Sequence, residues 1–153
     1  MSGQRVIVQR GVSAALISAV TTLTAKIRAG TQSTAHIGPL ISPASAKNAA
    51  ALITDAHARG AEVLVGDLSH DGATLTPHVL LGVEPSYPLW EQESFGPVLI
   101  IKVVDTEEEL VELANQTEYS LTSAVWTRDM DKGLKISRRI NAGELLFIWF
   151  ILL

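Results

Sequence analysis

The 153-residue chain contains no cysteine, which excludes disulfides, thiolate metal sites and a cysteine nucleophile supplied by these residues. Basic residues are few and scattered: 12 Lys and Arg stand against 16 Asp and Glu, for a net charge of −4. No Lys/Arg cluster supplies the electrostatic footprint of a nucleic-acid binder, so no DNA or RNA partner is expected. The only segment that resembles membrane-seeking sequence is Leu145–Leu153, nine residues long, whereas a spanning helix needs about 20, so no membrane span is expected. The first residues, Met-Ser-Gly-Gln-Arg, lack the apolar core of a signal peptide, and a cytoplasmic protein is expected. There is no Gly-x-Ser-x-Gly nucleophile elbow around Ser94, and Gly30, Gly38 and Gly60 form no Gly-x-Gly-x-x-Gly fingerprint. His36, His57, His70 and His78 make neither an i, i+4 pair nor a His-x-His ribbon, so they read as solvated or locally bonded side chains and no metal site is expected.

What is present is a chain that is 47% hydrophobic and long enough for one domain over residues 1–153. A domain of that size buries roughly two-thirds of its unfolded surface. Arg5–Gln9 reads as a strand, and from Val12 the apolar residues shift to helical spacing, with Leu16, Val20, Leu23 and Ile27 on one face and Gly30 as the stop. Ser42-Pro43 is an N-cap followed by proline at the first helical position, where a missing N–H costs nothing. That helix turns Ala46, Ala49, Ala50 and Ile53 inward, brings His57 to the boundary, and ends at Gly60. Glu62–Val65 is the next strand, 69–77 a turn-rich connection, and Val79–Val83 a further strand.

Val98–Val104 is almost wholly apolar, the pattern of a central parallel strand covered on both faces. Thr106 and Glu109 form a capping box that opens a helix through Asn115, and Glu107–Glu109 complement the dipole as a solvated helix start. Ser123–Thr127 reads as a strand, Asp129 caps a helix to about Ile140, and Asn141-Ala142-Gly143 ends it. The apolar tail over 144–153 reads as a buried strand, the alternative being a tail left by truncation or misprediction. Strands alternating with helices through short loops predict an α/β fold with a mostly parallel sheet and flanking helices.

Between the turn-rich segment and the apolar strand lies Glu93-Ser94-Phe95-Gly96-Pro97-Val98, where α/β proteins place ligand-contacting loops. Read as bare residues, Glu93 is a solvated loop acid, Phe95 a core anchor, and Trp90 a buried side chain close enough to help position the loop. The hexapeptide keeps company with Gly38-Pro39-Leu40-Ile41-Ser42, Gly60-Ala61-Glu62-Val63-Leu64-Val65-Gly66, Ala114-Asn115-Gln116-Thr117-Glu118-Tyr119-Ser120-Leu121 and Val125-Trp126-Thr127-Arg128-Asp129. In this order and spacing, from about Arg5 to Gly143, the chain resembles the C-terminal half of the NAD(P)-dependent aldehyde dehydrogenase family.

The resemblance implies a two-step oxidation of an aldehyde to a carboxylic acid. A cysteine thiolate attacks, hydride leaves to the nicotinamide of NAD or NADP, and a glutamate-activated water hydrolyses the thioester. It implies Glu93 as the carboxylate that accepts hydrogen bonds from the nicotinamide ribose and Phe95 as the aromatic contact beside the nicotinamide ring, with Gly96 and Pro97 shaping the backbone after them. It places the nucleophile immediately before Met1. In a second register, Ser2-Gly3-Gln4 matches the triplet preceding the cysteine, followed by a deletion. Either register leaves these residues without nucleophile, general base or Rossmann domain, so the expectation is a truncated chain, inactive alone and a weak binder of cofactor. The alternative is a non-catalytic fragment that associates with full-length subunits, or a homo-oligomer.

Overall fold

The computed structural model describes residues 3–119 and 121–149. The chain divides into two compact units, Met1–Val103 and Val104–Leu153, described in turn.

In the first unit, strand β1 (Arg5–Gln9) runs without a loop into helix α1 (Arg10–Thr24), and α2 (Pro43–Ala58) follows. Then come β2 (Glu62–Val65), the short strands β3 (His70–Asp71) and β4 (Thr74–Leu75), β5 (His78–Leu81), the one-turn helix α3 (Pro88–Glu91) and β6 (Val98–Val104). The four-stranded sheet has the order β1-β6-β5-β2. The apolar strand β6 is therefore internal. It lies parallel to β5, with Val79 opposite Leu99 and Leu80 opposite Ile100, and β2 closes the edge antiparallel to β5.

Alternation along the strands turns Val79 and Ile101 to one face, where they pack with Val8 against Leu16, Ile17 and Val20 of α1. Leu80 and Ile100, one residue out of phase, are fully buried on the other face. Helix α2 packs on α3 and on the β3–β4 hairpin, burying Ala46, Ala49, Ala50, Leu52, Ile53 and Ala56. It starts where the Ser42-Pro43 signal places it, with Ser42 Oγ accepting from the N–H of Ser45 at 3.1 Å.

Helix α1 is shorter than its apolar periodicity predicts. It stops at Thr24, and Leu23 and Ile27, expected on the inner face, stand 63% and 38% exposed. The chain after it folds back on itself: Gly30 N–H donates to Ile37 at 3.0 Å and the Arg28 guanidinium donates to Thr34 at 2.9 Å. Those local bonds hold residues 28–37 in a turn that a continuing helix could not make. The segment 69–77, read as a connection, carries the β3–β4 hairpin.

A buried histidine braces the turn between β2 and β3. His78 Nδ1 lies 2.7 Å from the Thr76 carbonyl, which can only accept, so Nδ1 carries the proton. Nε2 is then left to accept from the N–H of Leu68 at 3.1 Å. The ring packs against the Cα of Gly66, whose φ of 110° and lack of a side chain let the two meet. Burial pushes the imidazole below its ordinary value, opposed by its bond to Thr76 and the charge of Asp67.

The second unit is a β-α-β arrangement preceded by a helix: α4 (Glu107–Asn115), β7 (Thr122–Thr127), α5 (Met130–Ser137) and β8 (Glu144–Trp149). Strands β7 and β8 pair parallel, Thr122 opposite Glu144 through Thr127 opposite Trp149, with α5 as the crossover. Val111, Val125 and Ile136 form its core with Leu110, Ile140 and Leu145 around them. Both caps read from the sequence are made: Thr106 Oγ1 accepts from Glu109 at 3.1 Å, and Asp129 Oδ1 from Lys132 at 3.0 Å. The Glu109 carboxylate reaches back to the N–H of Asp105 at 3.0 Å rather than to that of Thr106. Lys132 also pairs with Glu107 at 2.6 Å, and this bond lowers the pKa of the carboxyl group. Of the expected tail strand, 144–149 is strand and 150–153 lie outside the described residues. Both units thus alternate strands with helices, and the fold is α/β with a mostly parallel sheet, as the sequence predicts.

Candidate functional site

The loop between α3 and β6 carries both residues singled out in the sequence. Glu93 is exposed. Phe95 is 82% exposed and left-handed, at φ 48°. A large aromatic in that backbone region is unusual, and one aimed into solvent contributes nothing to packing, so the reading of Phe95 as a core anchor is overturned. Between them Ser94 points the other way and is buried.

What holds the loop is the side chain of Gln4, at the foot of β1. Its Oε1 accepts from the backbone N–H of Ser94 at 2.9 Å and from the Ser94 hydroxyl at 3.0 Å. Its Nε2 donates to the carbonyls of Leu89 at 3.1 Å and Gln92 at 2.9 Å. The Ser94 oxygen in turn accepts from the N–H of Gly96 at 3.3 Å, so both residues flanking Phe95 are tied. A β-carbon on Gly96 would sit 3.0 Å from Cβ of Ala49, so this position also lets the loop approach α2 closely. Trp90 of α3 is buried beneath, and the Arg5 guanidinium lies over its ring at 5.2 Å from the centroid. Burial pushes the guanidinium below its ordinary value. Trp90 is thus positioned by Arg5 of β1 and the loop by Gln4 just before that strand, a relation that its place in the sequence only suggested.

Beside the loop runs an open groove of about 200 Å³, lined by Gly3, Thr24, Ile27, Ile37, Pro97 and Leu99 among others. The arrangement offers an anionic acceptor and an aromatic face two residues apart, both open to solvent, on a loop whose Gly96 and Pro97 line the groove. Such a set can accept from hydroxyls and stack on a flat heterocycle.

His78 lines this groove and its backbone N–H donates to the Pro97 carbonyl at 2.8 Å, while the other three histidines bond locally. His36 Nδ1 accepts from Arg28 N–H at 3.0 Å, while His57 and His70 bond their own turns through Ala61 and Gly72. Among the described residues no three His, Asp or Glu side chains cluster as metal ligands would. Nor is any helix among them long and apolar enough to cross a membrane.

The sequence pattern of the aldehyde dehydrogenase family matches residues 1–148. The chain is 34% identical over 145 residues to a vanillin dehydrogenase of Pseudomonas fluorescens, covering 94% of this chain and 30% of that protein. With an NADP/NAD-dependent aldehyde dehydrogenase of Escherichia coli it shares 33% identity over 109 residues, 71% of this chain and 22% of the relative. An aldehyde dehydrogenase structure from Bartonella henselae superposes with a TM-score of 0.89 at 28% identity, over 98% of this chain and 33% of that one. A betaine aldehyde dehydrogenase variant from Staphylococcus aureus, crystallised with NAD+, superposes with a TM-score of 0.88 at 26% identity, over 99% and 32% of the two chains. The chain therefore spans about a third or less of the length of these relatives.

Proposed function

The chain belongs to the aldehyde dehydrogenase family, and from that premise we propose that its 153 residues are the part of a catalytic domain that clamps the nicotinamide riboside of NAD or NADP. In this reading the whole protein oxidises an aldehyde to a carboxylic acid. Glu93 accepts hydrogen bonds from the ribose hydroxyls, and Phe95 lies against the nicotinamide ring. The observation that carries the reading is the pair of open side chains on a braced loop. Phe95 holds a disfavoured backbone conformation while giving its ring to solvent, which costs folding energy and supports a role for the ring outside the packing of these residues.

The cofactor's chemistry is to take up hydride when bound; the residues of this chain would bind and orient it. With no cysteine among them, the thiolate attack has no donor here, and we propose that these residues alone do not turn over. Affinity for the whole cofactor would be weak, because one acceptor and one ring contact must offset the cost of association. The cytoplasm as compartment is proposed on the sequence reading alone.

A second reading, association with full-length subunits or with a further copy, is favoured by one observation. Leu121 and Leu146 of the second unit are each at least half exposed.

The test follows amide chemical shifts of the full chain during titration with nicotinamide mononucleotide, beside an assay for aldehyde-dependent NADH formation. Shifts centred on Glu93 to Gly96, lost in Phe95→Ala, with no turnover, are the expected result. Robust turnover overturns the no-catalysis claim, and an unresponsive loop at millimolar nucleotide overturns the clamp.

A further inference from the structure

The conformation of the proposed clamp is not dictated by the clamp's own residues. Apart from Phe95, its neighbours adopt no left-handed backbone, and no hydrogen bond within the loop closes a turn around the ring other than the 3.3 Å contact from Gly96 to Ser94. On the side toward β6 the loop is held by the N–H of Val98 donating to Gly96 at 2.9 Å and that of His78 donating to Pro97 at 2.8 Å; on the Ser94 side the bonds come from Gln4, ninety positions away in the chain.

Gln4 is itself fixed. Its backbone carbonyl accepts from the N–H of Ile100 in β6 at 2.8 Å, so its main chain is part of the sheet while its side chain reaches the loop. Two carbonyls face it at one end, Leu89 of α3 and Gln92 of the loop, and two donors at the other, the N–H and hydroxyl of Ser94. A primary amide meets both demands at once, because it carries two donors on nitrogen and two lone pairs on oxygen. A carboxylate in its place would face two carbonyl oxygens with no hydrogen to share, and an ammonium could accept nothing from Ser94. The side chain is half-buried, so the four bonds are partly shielded from competition by water.

We infer that Gln4 is a positioning residue for the nicotinamide-riboside clamp, holding Ser94 down so that Glu93 and Phe95 on either side of it face outward. This rests on the clamp reading above and deepens it. Gln4 touches no cofactor. It acts through Ser94, whose backbone and hydroxyl it holds, and through Ser94 on Gly96.

The experiment compares the full chain with Gln4→Met, close in shape and apolar, and with Gln4→Glu, which keeps the acceptor and loses both donated bonds. Nicotinamide mononucleotide is titrated at a temperature where every variant is folded by circular dichroism, and hydrogen exchange is measured at the amides of Ser94, Gly96 and β6. The expected result is about tenfold weaker nucleotide binding and at least about tenfold faster exchange at Ser94 and Gly96 in both variants, the scale of one or two hydrogen bonds lost. Exchange in β6 should change far less. A merely structural brace would lower the melting temperature and leave the affinity of the folded molecules unchanged, and that outcome overturns the inference. Binding in the wild type that both variants retain overturns the role of Gln4 alone. A wild type that binds nothing overturns the clamp reading and this inference with it.

Discussion

His78 Nε2 accepts a hydrogen bond from the backbone N–H of Leu68 at 3.1 Å, and Leu68 sits at φ 62°, in the left-handed region. The pair makes a turn depend on a protonation state. Burial lowers the histidine's pKa in the folded chain below its ordinary 6.5. As pH falls through that value, the unfolded chain binds the proton first, because the folded form holds the ring neutral to accept from Leu68. Stability is therefore full above about 6.5 and declines as pH drops toward the folded value. Denaturant midpoints between neutral and mildly acidic pH should fall for the wild type and lose part of that slope in His78→Gln. Equal slopes would remove His78 as the cause.

Gly66 should tolerate no side chain. Its φ of 110° already excludes most residues, and an added methyl would meet the His78 ring. Gly66→Ala is expected to cost about 2–4 kcal/mol, combining backbone strain with overpacking. Urea unfolding measures it, and a loss below about 1 kcal/mol would mean that the turn yields easily.

Relieving Phe95 should trade binding for stability. Asn occupies left-handed backbone far more readily than Phe, and an 82% exposed ring gives up little packing. Phe95→Asn is expected to raise stability by up to about 1 kcal/mol while abolishing the response to nicotinamide mononucleotide. A destabilised Phe95→Asn would show that the ring packs in solution after all.

Two changes in α2 should separate cap from core. Ser42→Ala removes the side-chain acceptor for Ser45 and should cost about 1 kcal/mol. Ile53→Ala empties a fully buried position and should cost about 2–5 kcal/mol. Matching losses would contradict the burial that places Ile53 in the core.

Local signals were readable, and tertiary ones were not. The caps at Ser42, Thr106 and Asp129 were legible because a cap is chemistry between residues three apart. Strand β6 was legible because a strand covered on both faces must be apolar throughout. The stop of α1 at Thr24 was missed because Leu23 and Ile27 keep helical spacing while the bonds that bend the chain come from residues beyond them. The helix α3 is a single turn, too short for periodicity, although Pro88 stands at its first position. At the candidate site, Glu93 and Phe95 were found through the hexapeptide they belong to. Gln4, which holds that hexapeptide, had no signal in its neighbourhood, since a contact across ninety positions leaves no spacing to read.

Strand β1 lies beside β6 in the sheet, and the carbonyl of Gln4, just before it, waits for Ile100 to satisfy it. At about 5–20 residues per second of synthesis, Val6 and Val8 emerge from the ribosome on the order of ten seconds before the strand that covers them exists. During that interval the β-branched segment lacks the strand it pairs with in the finished sheet, so the exposure to wrong pairing is greatest during synthesis.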